Sequence, residues 1–196
     1  MDEKMERVGI VGAGTMGHGI AQVCAMAGFG VSLYDPQPGA VDSAISKIVG
    51  NLDKGVARGK VEPAVRGLAV ANLHKARDLC DAVNDADLVI EAVPERMEIK
   101  ERIFADVDRH APSHALLATN TSSLSVSRIA EATGRPERVL GLHFFNPVHI
   151  MKLLEVVRGN ATTQEAVEAA LGFARRIGKE PIVVTDTPGF ASSRLG

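Results

Sequence analysis

The chain has no tryptophan and one tyrosine in 196 residues, which fits a core of Ala, Val, Ile and Leu. No apolar run reaches the roughly 18 residues that a membrane span needs, so no transmembrane helix is expected. Basic blocks are missing too: 22 Lys and Arg stand against 24 Asp and Glu, a net charge of -2. That balance gives no basis for binding nucleic acid. Cys24 and Cys80 have no metal-ligand spacing, and both are expected to be small buried apolar side chains. No metal is expected. The first residues, Met1 to Arg7, are charged and include acids, unlike a secretory or mitochondrial leader. Together these absences point to a reduced, cytoplasmic, globular protein.

What is present is alternation. Arg7–Val11 reads as a strand, Thr15–Ala27 as a helix and Val31–Tyr34 as the next strand. From Pro38 to Gly59, apolar residues at Val41, Ile45, Ile48, Leu52 and Val56 describe a helix lying on a sheet. Val70–Leu73 reads as a short third strand. Further strands are expected over 87–93, 115–119, 139–142, 151–157 and 181–185, with helices over 95–110, 125–132 and 164–177. Repeated βα units predict an α/β fold, a doubly wound and mostly parallel sheet of the Rossmann type.

The first strand runs into Gly12-Ala13-Gly14-Thr15-Met16-Gly17. In a dinucleotide-binding turn, the first glycine permits the tight bend and the second lets backbone approach a pyrophosphate. The third allows close packing of helix on strand. Asp35 closes the second strand, where a carboxylate suits the ribose hydroxyls and repels a 2′-phosphate. NAD is therefore favoured over NADP.

Asn120 and Ser122 follow one strand, and His143 and Asn146 follow another, so both segments belong at the carboxyl edge of the sheet. An imidazole suits removal of a proton from an alcohol near neutral pH, and Glu155 is placed to orient it. His18, His74, His110, His114 and His149 have no comparable context and read as surface or packing residues.

These stretches resemble the L-3-hydroxyacyl-CoA dehydrogenase family. The matching pieces are Val8–Gly19, Glu91-Ala92-Val93-Pro94-Glu95, Asn120-Thr121-Ser122-Ser123-Leu124, His143-Phe144-Phe145-Asn146-Pro147, Met151–Val157 and Asp186-Thr187-Pro188-Gly189-Phe190, in family order. The resemblance implies reversible, NAD-dependent oxidation of an L-3-hydroxyacyl-CoA to the 3-ketoacyl-CoA. It implies His143 as general base, Glu155 as its orienting partner, and Ser122 and Asn146 at the reacting oxygen and the nicotinamide end. Gly12, Gly14, Thr15, Met16, Gly17, Asp35, Glu95, Lys100 and Asn120 would complete the NAD site. Asn51, Arg58 and Lys60 would meet coenzyme A, and Ser193 stands where the family carries a substrate-reaching Asn. Residues 1–188 would form the NAD-binding domain and 189–196 the start of a helical C-terminal domain. Most of that domain, which forms the family homodimer, is absent from this chain. Two other readings stay open from sequence: a cofactor-binding module with little catalysis, and a dehydrogenase of a free hydroxy or sugar acid.

Overall fold

Strands form where apolar residues run together, and helices where they recur every three or four positions. In the computed structural model, which describes residues 5–187, the chain runs β1 (Arg7–Val11), α1 (Thr15–Met26), β2 (Gly30–Tyr34), α2 (Ala40–Ala57), α3 (Pro63–Ala71), β3 (Leu73–Lys75), α4 (Leu79–Val83), β4 (Leu88–Glu91), α5 (Met97–His110), β5 (Leu116–Thr119), α6 (Val126–Ala130), β6 (Val139–Phe144), β7 (Leu153–Arg158), α7 (Gln164–Arg176) and β8 (Glu180–Thr185). Residues 189–196, expected to open a helical domain, lie outside the described residues, and Ser193 with them.

The eight strands of the described residues share one sheet, in the order β3-β2-β1-β4-β5-β6-β7-β8. From β3 to β6 the neighbours are parallel, and the order reverses between β1 and β4, which opens the crevice where such sheets bind ligands. β7 then turns back antiparallel to β6, and β8 runs parallel to β7.

Period-two alternation splits the strands between two cores. Ile10, Ile90, Leu140, Leu142 and Leu154 pack with Ile20, Ile48 and Leu52 of α1 and α2. Val11, Val89, Leu117 and Val139 pack on the other face with Phe104 and Val107 of α5 and Ile129 of α6. Each fully buried Leu or Ile contributes about 1.5–3 kcal/mol by leaving water. On the edge strand β8, Ile182 and Val183 stay 41% and 48% exposed.

Two expectations are corrected. The segment read as a strand over Val70–Leu73 is the end of α3 and the first residue of β3, with Asn72 between them. Pro63 at the first helical position, followed by Ala64, Ala69 and Ala71, favours a helix there. Cys80 is exposed on the short helix α4, while Cys24 is buried on α1.

Candidate active site

β1 delivers the chain to Gly12, whose φ of +106° is open to glycine at little cost. A Cβ on Gly17 would sit 1.8 Å from the Gly12 carbonyl oxygen, so α1 can start this close to the turn only without a side chain. Gly14 is different. It is exposed, and a Cβ there would meet no protein atom within 4 Å. Gly14 is the N-cap of α1, which has no side-chain cap and no acid in its first turn. The helix thus presents main-chain N–H groups and the positive end of its dipole to open space beside a bare backbone, a cradle that fits a pyrophosphate. Thr15 and Met16 form its first turn. At the end of β2, Asp35 accepts from the N–H of Ala13 (2.8 Å) on one oxygen and of Gln37 (2.9 Å) on the other. A carboxylate has about four acceptor sites, so both oxygens retain capacity for ribose hydroxyls. Asp35→Asn is expected to weaken NADH binding about tenfold or more, the worth of a hydrogen bond to a charged group. Titrating cofactor fluorescence with NADH and NADPH checks this; tighter binding of NADPH by the parent chain would overturn it.

Beside that turn lies a buried charge network. Glu91 and Thr119 are cross-strand partners at the ends of β4 and β5. The Thr119 hydroxyl donates to Glu91 Oε2 (2.8 Å), and Lys100 Nζ donates to Glu91 Oε1 (2.7 Å), as does the Val93 N–H (2.7 Å). Burial pushes the Glu91 carboxyl up from its ordinary value, against the pull of Lys100, Thr119 and Val93. Lys100 Nζ also lies 3.4 Å from Glu95 Oε2. Glu95 Oε1 in turn accepts from the Thr121 hydroxyl (2.5 Å) and from the N–H groups of Ser122 (3.0 Å) and Ser123 (3.3 Å). Burial works against ionisation of Glu95, but Thr121, Lys100 and the two backbone donors outweigh it and hold the carboxyl below its ordinary value. Lys100 is 0% exposed, so it holds Glu95 from beneath and does not show its ammonium at the surface.

The second cluster depends on the antiparallel joint. His143 on β6 and Glu155 on β7 are directly opposite in the register. Their Nδ1 and Oε2 atoms are 2.7 Å apart, with His143 9% and Glu155 0% exposed. A carboxylate only accepts, so Nδ1 carries the hydrogen and Nε2 is the basic nitrogen. The Phe145 ring lies 4.5 Å from the imidazole, centroid to centroid. Asn120 Oδ1 accepts from the Phe144 N–H (3.0 Å), which ties the loop after β5 to the end of β6. Ser122 and Asn146 are exposed on the two loops that follow these strands. Asp186 fastens the first loop from behind, accepting from the Ser125 hydroxyl (2.9 Å) and the Val126 (3.0 Å) and Ser127 (2.8 Å) N–H groups.

Asn51, Arg58 and Lys60 line one cleft of about 710 Å³, together with Lys54, Lys152, Arg176 and Lys179. The cleft is basic, with apolar patches from Met26, Val61 and Ile150.

This geometry has counterparts in known proteins. Residues 7–187 match the family model described as 3-hydroxyacyl-CoA dehydrogenase, NAD binding domain. The chain belongs to this family. It is 40% identical over 191 residues to a 3-hydroxybutyryl-CoA dehydrogenase of Bradyrhizobium diazoefficiens, covering 97% of this chain and 65% of that one. Against a 3-hydroxyadipyl-CoA dehydrogenase of Escherichia coli it is 44% identical over 191 residues, covering 97% of this chain and 40% of the relative. A crystal structure of (S)-3-hydroxybutyryl-CoA dehydrogenase from Ralstonia eutropha superposes with a TM-score of 0.94 at 36% identity, over 98% of this chain and 68% of that one. The chain thus spans about two thirds of the 3-hydroxybutyryl-CoA dehydrogenases it matches, and less of the longer relatives.

The chain carries the NAD-binding domain of the 3-hydroxyacyl-CoA dehydrogenase family, and NAD is its cofactor. Within that domain the structure brings Asn120, Ser122, His143, Asn146 and Glu155 to one sheet edge, with Glu95 under the first loop. Sequence reasoning missed Glu91 and Thr119, which lock Lys100, and Asp186, which holds the Ser125 turn. A lone acid ending the apolar run Leu88-Val89-Ile90 was the one available signal for Glu91.

Proposed function

We propose that this chain performs the hydride- and proton-transfer chemistry of an NAD-dependent L-3-hydroxyacyl-CoA dehydrogenase. The observation that carries the reading is the His143–Glu155 pair, 2.7 Å apart on adjacent strands at the crevice edge. Glu155 fixes the imidazole in the tautomer whose Nε2 accepts a proton, and its charge stabilises the imidazolium that forms. As the C3 hydroxyl is oxidised, its proton goes to His143 Nε2 and the C3–O bond becomes a carbonyl. NAD, when bound, would supply the acceptor for the hydride that leaves C3. Ser122 and Asn146 hold the reacting oxygen and the nicotinamide end, and the Glu95 network keeps the Ser122 loop in place. In the reverse direction His143 returns the proton to the new alkoxide.

The basic cleft containing Asn51, Arg58 and Lys60 supports a coenzyme A thioester as substrate, since its phosphates need cations and its pantetheine arm tolerates apolar walls. The same reading takes the enzyme as cytoplasmic.

The direct experiment follows the reduced-nicotinamide absorbance of NADH after acetoacetyl-CoA is added to the purified chain. Steady loss that is faster with the thioester than with free acetoacetate is the expected result. Equal rates would favour a free acid as substrate. No loss, with NADH still bound, would leave this chain a cofactor-binding module.

A further inference from the structure

The loop joining β6 to β7, residues 145–152, carries Asn146 and returns the chain to Glu155. It is fastened at two points that owe nothing to the strands. Val148, 2% exposed, lies against α1 at Gly19, where an added Cβ would come 2.9 Å from the Val148 Cβ. The other fastening is Lys179. Just past α7, Gly178 has φ +75°; its N–H donates to the Arg175 carbonyl (3.0 Å) and the Lys179 N–H to the Ala174 carbonyl (2.9 Å). This double-bonded helix end turns the chain back towards the loop. The Lys179 ammonium then donates to the Val148 carbonyl and to the Met151 carbonyl (2.7 Å). Next to it, the Glu180 N–H donates to the Lys152 carbonyl (2.8 Å) and closes the end of the loop.

Lys179 is 8% exposed. Burying an ammonium sacrifices strong hydration, and a methionine would fill the same space without that loss. The cost has a return only if the two carbonyls it gathers must stay where they are. We propose that Lys179 is a positioning residue that clamps the 145–152 loop and thereby holds Asn146 beside His143. Its catalytic consequence rests on the dehydrogenase reading above; its grip on the loop does not. Burial also lowers the Lys179 pKa, because loss of hydration disfavours the charged form.

Lys179→Met and Lys179→Arg in the full 196-residue chain test the clamp. In Lys179→Met, deuterium uptake at amides 145–152 is expected to rise about tenfold while β4 and β5 stay protected, as when one local hydrogen-bonded unit opens. kcat with acetoacetyl-CoA should fall about 10- to 100-fold, the cost of a small misplacement, with the NADH dissociation constant within about threefold of the parent. Lys179→Arg, which keeps donors on a similar stem, should restore most of the protection and turnover. Unchanged exchange at 145–152 in Lys179→Met overturns the proposal. So does faster exchange throughout the sheet, which would make Lys179 a general stability residue. If the parent chain proves inert towards acetoacetyl-CoA, the dehydrogenase reading fails while the exchange experiment still decides the clamp.

Discussion

Replacing His143 with alanine is expected to lower turnover with acetoacetyl-CoA by about 10² to 10⁴, the range typical of losing a positioned general acid–base group. NADH binding should survive within a few-fold, because the Gly12–Gly17 turn and Asp35 follow β1 and β2, away from β6. Alanine also takes from the fully buried Glu155 its 2.7 Å partner, so some stability will go with the activity. His143→Gln separates the two effects: the amide still donates towards Glu155 but accepts no proton at neutral pH. Stopped-flow rates beside thermal melts would show both variants slow and the glutamine variant the more stable. Turnover near the parent's in His143→Gln would remove His143 from the chemistry.

The second large effect is on folding. Lys100→Met strips the counter-charge from Glu91, a carboxylate 1% exposed and held 2.7 Å from the ammonium. Breaking one side of a buried ion pair costs about 3–5 kcal/mol, since the remaining charge stays desolvated. For a domain of this size each kcal/mol moves the midpoint by about 2–4 °C, so Tm should fall by about 6–20 °C. Glu91→Leu combined with Lys100→Met removes both charges and should recover most of that loss. The double variant should not recover NADH affinity or rate, because Glu95 has still lost the ammonium that lies 3.4 Å beneath it. A Lys100→Met chain that melts with the parent would show that the pair contributes nothing to the fold.

Much of this architecture is legible in the residues. The strands at 7–11 and 115–119 and the helices α1, α2, α5 and α7 lie within a residue or two of where periodicity puts them, because each has a single dominant apolar period. Val70–Leu73 misled because a short apolar run fits a strand or the end of a helix equally well, and Pro63 was the better guide. Helix α4 was missed: five residues leave no period to count, although Asp78 caps it by accepting from the Asp81 N–H (2.8 Å). Site residues on named turns could be placed at the sheet edge from strand order alone. What could not be read was the reversal of β7. Nothing in Met151–Val157 states its direction, yet that direction sets Glu155 opposite His143. The clamp by Lys179 was equally hidden, since it depends on the carbonyls of Val148 and Met151, 31 and 28 residues back.

The three glycines of the cofactor turn answer to different masters. A side chain at position 12 or 17 collides with the polypeptide itself, so a screen for soluble, well-folded variants would reject it. At Gly14 the polypeptide leaves the space clear, and such a screen would accept alanine or serine there. Only a screen for bound dinucleotide would object. Position 14 therefore records a debt to a molecule outside the chain, and variation there among folded relatives would mark lineages that have given up the cofactor while keeping the scaffold.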